Sequence, residues 1–181
     1  MRRKLGWVLA VTLLLLGGVA IAERAWLRLG GAHVVGRPHA VASQAIEASL
    51  SRRLGAMRDL DSLQRATLAE TGARLHFGLG HTTSLQFDAE REGNCIEYAQ
   101  LFSTLFDAAA VKRGMPARAY PIHSPRVTVS GLVVPLRGWH DHDWVLIVDG
   151  AARRYVDPTL ADFGLGWDVE QQVVAPGSIR P

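Results

Sequence analysis

The stretch CIEYAQLFSTLFDAAAVKR, residues 95–113, limits what this chain can fold into more than any other. Its apolar residues, Ile96, Ala99, Leu101, Phe102, Leu105, Phe106, Ala109 and Val111, fall on nearly every side of a helix. A helix of that kind is buried, because none of its faces suits water. Its start is well marked. Asn94 suits the N-cap and Glu97 stands at the third helical position, an arrangement that satisfies free backbone N–H groups reciprocally. Gly114 and Pro116 stop the helix at its far end. Other elements must therefore wrap this segment.

The wrapping elements are legible on both sides. Residues 41–75 have helical spacing, with Ile46, Leu50, Leu54 and Met57 on one stripe. Leu60, Leu63 and Leu68 suggest a second short helix after a break near residues 59–62. Residues 78–93 read as a loop. After the central helix the period changes to two, and residues 118–122, 127–134, 143–148 and 153–156 read as strands. Helices followed by an antiparallel sheet make an α+β fold, with the buried helix packed on the sheet. At 181 residues, 48% apolar and 20% charged, the chain can bury a real core and does not have a disordered composition.

The N-terminus has the form of an export signal. Arg2, Arg3 and Lys4 precede an uncharged stretch of 18 residues, Leu5 to Ala22, which closes on Ala20-Ile21-Ala22. The small-x-small ending fits cleavage, while the length and Trp26 fit a retained membrane anchor. Gly17-Gly18 weakens a permanent span. In either case the basic end stays in the cytoplasm and the domain works outside it, periplasmic or secreted, or anchored in the inner membrane. Residues 23–40, with Gly30-Gly31, Gly36 and Pro38, read as a linker, and residues 41–181 as the domain. Without residues 1–22 the formal charge of +3 falls to zero, with 17 basic and 17 acidic side chains. A phosphate-binding surface needs a basic excess on the folded domain, so a nucleic-acid partner is not expected.

One cysteine excludes an internal disulfide framework and any multi-cysteine metal site. Cys95 falls at the first helical position, where unpaired N–H groups and the positive helix end stabilise a thiolate, the nucleophilic form. The alternative is a small buried hydrophobe. Counting across a hairpin supplies a partner. If Asp149-Gly150 is a two-residue turn, Val148 faces Ala151, His142 faces Asp157 and His140 faces Thr159. Facing Cβ atoms lie about 4.5–5.5 Å apart, so His142 and Asp157 can hydrogen-bond, and the carboxylate can support the imidazolium. Asp141 and Asp143 point the other way. A metal site at residues 140–143, a solvated strand end and a slipped register remain open as other readings of this cluster. His33, His39, His76, His81 and His123 read as isolated surface or loop residues. Trp139 and Trp144 flank the cluster, as core residues or as walls of a substrate groove.

The run GNCIEYAQLFSTLFDAAAVKRGMPARAY resembles the nucleophile helix of the transglutaminase-like superfamily, with a Gly-x-Cys start, an apolar helix and Gly-x-Pro-Ala-Arg leading into a strand. HDWVLIV and RRYVDPT resemble its His-x-Trp strand and Asp-Pro-Thr segment. The resemblance spans roughly residues 85–160. It implies a papain-like α+β core with Cys95 as nucleophile, His142 as base and Asp157 as orienting carboxylate. No cofactor and no metal are expected. Val145 and Leu146 depart from it, standing where many relatives are polar. The oxyanion donors are not fixed by the pattern; the Cys95 backbone N–H and the Gln86 side chain are candidates. The family includes peptidases, amidases, crosslinking acyltransferases and inactive members. The expectation is an exported cysteine peptidase or amidase acting on a peptide or isopeptide amide of a peptide or protein substrate. The alternatives are a protein-crosslinking transglutaminase and a non-catalytic binding domain.

Overall fold

The computed structural model describes residues 27–36, 40–78, 83–133 and 141–181. The expected export segment, His39, His81, Trp139 and His140 lie outside the described residues. After three short strands come two helices, α1 (Gln44–Leu54) and α2 (Leu60–Gly72), split by Asp59, whose carboxylate caps α2 by accepting from the Ser62 N–H at 2.7 Å. The central helix is α3 (Cys95–Lys112). Asn94 Oδ1 accepts from the N–H groups of Ile96 and Glu97, and Glu97 Oε2 accepts from the Asn94 N–H at 2.9 Å, completing the capping box. At the far end Gly114 turns the chain at φ 65°.

Tyr98, Leu101, Phe102, Leu105 and Phe106 of α3 share one core with Ile46, Leu50 and Leu54 of α1 and Leu63 of α2. The sheet completes that core through Ala119, Val145, Ile147 and Val156. Each of these large side chains contributes about 1.5–3 kcal/mol by leaving water. The prediction for this helix is borne out, with Ile96 and Val111 exposed only at its two ends.

Four strands form the main sheet: β2 (His33–Val34), β7 (Arg118–Ser124), β10 (His142–Asp149) and β11 (Ala152–Val156). Their order is β11-β10-β7-β2 and every pair is antiparallel. The continuous apolar run of β10 has a structural reason. Val145 and Ile147 enter the helical core. Trp144 and Leu146 enter a second core with Ile122, Tyr155, Val169, Val173 and Ile179. The sheet is covered on both faces, so alternation with polar residues is lost.

The second core is closed by a smaller sheet, β1 (Leu27–Gly30), β8 (Arg126–Val129) and β9 (Leu132–Val133), in the order β1-β8-β9. This corrects the linker expected at residues 23–40. Residues 27–34 supply β1 and β2, and Leu29 is completely buried. The glycines there mark turns between short strands instead of a free tether. The loop expected at residues 78–93 likewise holds β5 (Gln86–Phe87) and β6 (Arg91–Gly93), paired in parallel with β3 (Val41–Ala42) and β4 (Leu75–Phe77). Ser130-Gly131 divides the strand expected at 127–134 into β8 and β9.

The β10–β11 hairpin corrects the counted register. Asp149 pairs with Ala152 and the loop is Gly150-Ala151, not Asp149-Gly150. Gly150 has φ 59° and Ala151 is not among the positive-φ residues, as in a type II′ turn with glycine first. The true pairing is offset from the counted one by two positions, and an even offset keeps every side chain on its side of the sheet. Thr159 is not on a strand at all. It lies in α4 (Pro158–Asp162), the short helix that follows β11.

Candidate active site

Cys95 is the first residue of α3, part-exposed, and the capping box fixes where that helix begins. Glu97 extends the fixation to the preceding segment. It is buried, and its second oxygen accepts from the Ser84 N–H at 2.9 Å and from Arg91 Nη1 at 2.6 Å. The Arg91 guanidinium also lies 4.7 Å above the Phe87 ring.

His142 opens β10, opposite Ser124 of β7. Its Nε2 lies 2.5 Å from Asp157 Oδ2. An ionised carboxylate only accepts, so Nε2 carries the proton. The Cys95 side chain is near enough to act electrostatically on the imidazole, and with Nε2 occupied by Asp157 the ring nitrogen left for a thiol is Nδ1. Burial by itself pulls the imidazole pKa down. The attraction and hydrogen bond of Asp157, followed by the influence of the Cys95 side chain, outweigh burial and hold it well above the ordinary histidine value.

Asp157 is completely buried and divides its two oxygens. Oδ2 holds His142, while Oδ1 accepts from the N–H groups of Thr159 (2.9 Å) and Leu160 (3.0 Å) and so caps α4. The structure therefore brings Cys95, His142 and Asp157 into one row, in which His142 and Asp157 are hydrogen-bonded and Cys95 acts on the imidazole. Tyr98, one turn along α3 from Cys95, reaches Asp162 at the end of α4 (2.6 Å). The helices carrying Cys95 and Asp157 are thus tied together a second time.

The groove residues fare differently. Trp144 is fully buried in the second core and its Nε1 donates to Ser124 Oγ at 2.9 Å, so it lines no groove. Alternation along β10 places it against the Tyr155 ring. Gln86 is exposed on β5, and among the described residues no hydrogen bond joins it to Cys95, His142 or Asp157. A cavity of about 240 Å³ lies elsewhere, beside β11, lined by Gln64, Arg153, Arg154, Tyr155 and Trp167.

Reading the histidines as isolated missed the surface pair of His76 with Glu90 and a further, part-buried pair beside the row. His123 Nδ1 meets Asp143 Oδ1 at 2.6 Å, and the His33 ring stands edge-on to His123 with centroids 5.4 Å apart. The three occupy one cross-strand row, His33 facing His123 and His123 facing Asp143. Burial raises the Asp143 pKa above the ordinary value, with His123 opposing. The β7–β10 register would have found this pair, but 17 residues separate Ser124 from His142 and no short turn sets it.

Comparison of the chain with protein-family models, with curated proteins and with solved structures finds no match.

Proposed function

We propose that this chain is an exported cysteine enzyme with a transglutaminase-like, papain-like core that hydrolyses an amide in a peptide or protein. The observation that carries the reading is the row itself: a part-exposed thiol at a helix N-terminus, beside an imidazole whose far nitrogen is held by a buried carboxylate.

The chemistry follows from the row. The Cys95 sulfur, its proton taken up at Nδ1 of His142, attacks the amide carbonyl carbon. The C–N bond breaks as the imidazolium returns that proton to the leaving nitrogen, which leaves a thioester on Cys95. Water, deprotonated by the imidazole, attacks the thioester, the C–S bond breaks, and a carboxylic acid and the free thiol remain. Asp157 supports the imidazolium in both halves. The Asn94 side chain takes the N–H groups of Ile96 and Glu97, so the Cys95 N–H is left to face the oxyanion. A thioester can also pass to an amine, which would make the reaction a crosslink. Water is the acceptor chosen here, since no lysine-docking surface is marked in the sequence.

Alkylation by iodoacetamide tests the reading. Cys95 is expected to label faster near neutral pH than a free thiol, and to slow on His142→Ala. An acyl thioester on Cys95 should be detectable by mass spectrometry after mixing with an activated ester. Labelling no faster than a free thiol, unchanged by His142→Ala, would mean a binding domain on this fold.

A further inference from the structure

The β8–β9 hairpin carries an apolar tip that the other described residues leave exposed. Leu27 faces Val129 and Val129 faces Leu132, so these three form one cross-strand row across the small sheet. The neighbouring pair on the same side, Leu29 and Val127, is buried in the second core. The apolar face therefore starts inside the protein and runs out past its edge, where Val129 is 38%, Leu132 75% and Val133 55% exposed. Val133 faces Thr128 and belongs to the opposite side, so the tip is apolar on both sides. The sequence has no charged residue from Val127 to Leu136.

The position of this tip is tied to the N-terminal segment. Leu27, the first residue of β1, lies at the tip end of β8, while Gly30 lies beside Arg126 at the other end. Only five peptide bonds separate Leu27 from Ala22, where the uncharged stretch of 18 residues ends. Five fully extended residues reach roughly 18 Å at most. A bilayer that held residues 5–22 would thus lie within that distance of Leu27, and Val129 and Leu132 share the row with Leu27.

We infer that the β8–β9 tip docks on the outer face of the same bilayer that retains residues 5–22. Leu132 and Val133 enter the boundary between headgroups and acyl chains, and the domain is seated on the membrane at two points. This inference rests on the reading of residues 5–22 as a retained anchor and not on the thiol chemistry. Two seating points fix the orientation of the domain, where a single flexible tether would leave it free to tumble.

The test uses the full chain with Cys95→Ser, so that a cysteine placed by Leu132→Cys is unique. It is labelled with an environment-sensitive fluorophore and reconstituted into phosphatidylethanolamine–phosphatidylglycerol vesicles. The expected result is blue-shifted emission from position 132, quenched by nitroxide-bearing lipids and shielded from aqueous iodide. A label placed by Val111→Cys, at the exposed end of α3 in the helical layer, should show the reverse. A chain that does not float with the vesicles overturns both the anchor reading and the inference. A chain that floats but has a water-exposed label at 132 overturns the inference alone. So does a blue shift that lipid nitroxides leave unquenched and dilution abolishes, which would mean that the tip meets a second copy of the chain.

Discussion

The Tyr98 hydroxyl donates to Asp162 across 2.6 Å, from the helix that begins with Cys95 to the last residue of the helix that Asp157 caps. The Leu75 carbonyl lies 2.8 Å from the same hydroxyl. Burial first, and then the Asp162 carboxylate, push the phenol pKa well above its ordinary value, so the donor persists at every working pH. Tyr98→Phe removes the proton and leaves two acceptors without it. The expected cost is about 1–2 kcal/mol of stability. If the brace positions the row, turnover falls as well, by up to about a hundredfold for roughly an ångström of misplacement. Urea unfolding and kcat against KM check this. A drop in kcat with KM unchanged marks positioning, and a loss of stability with unchanged kcat rejects it.

Asp157 serves both the imidazole and α4, and two substitutions separate those roles. Asparagine caps a helix as well as aspartate, so Asp157→Asn should keep α4 while placing a donor against Nε2. Serine triads lose about four orders of magnitude on the equivalent change. A thiol needs less help to ionise, so the expected loss here is about ten- to a thousandfold. Asp157→Ala should add about 1 kcal/mol of instability from the lost cap. Combining Asp157→Asn with His142→Ala should be little worse than His142→Ala alone, because the residues act as one unit. Additive losses in that double variant would show that Asp157 does not act through His142.

The His142 pKa sets the sign of a stability profile. A histidine whose folded pKa is raised above its unfolded value contributes stability that is fully present below about pH 6.5 and lost as pH rises through the folded value. The stability difference between the wild type and His142→Gln should therefore be largest on the acid side and shrink in alkali. Unfolding free energies measured across the pH range for both proteins check this. A difference that grows with pH would contradict it.

Glu97→Gln should be destabilising even though a capping box accepts either residue. Glutamine has one acceptor oxygen, whereas Glu97 serves Asn94, Ser84 and Arg91 with two. Its amide would set a donor against a donor in a buried place. A loss of about 1.5–3 kcal/mol is expected, against about 1 kcal/mol for Asn94→Ala. Thermal unfolding of the two variants gives the order, and equal losses would mean that the Arg91 pair adds nothing.

Local signals made much of this structure legible. Asn94, Glu97 and Gly114 mark the central helix with neighbours alone, and helices followed by strands gave the α+β class. The meeting of His142 with Asp157 was readable although the turn was misplaced, because the error was an even one. Long-range partners had no such signal. Leu29 looked like part of a linker because β1 is four residues long and its pair, Val127, lies about a hundred positions away. The His123–Asp143 pair depended on a register that no tight turn announces. Trp144 offered no sign of which face it took until the second core was seen.

The cap at position 157 would outlive the chemistry proposed here. In a descendant that no longer turned over substrate, α4 would still need its cap, which here holds two backbone N–H groups and which only another capping side chain could supply. Cys95 has no such second duty: it is part-exposed, and the cap beside it belongs to Asn94. Drift would therefore erase the thiol first and leave a capping side chain at position 157 standing. The cap thus belongs to the fold, and the cysteine to the chemistry alone.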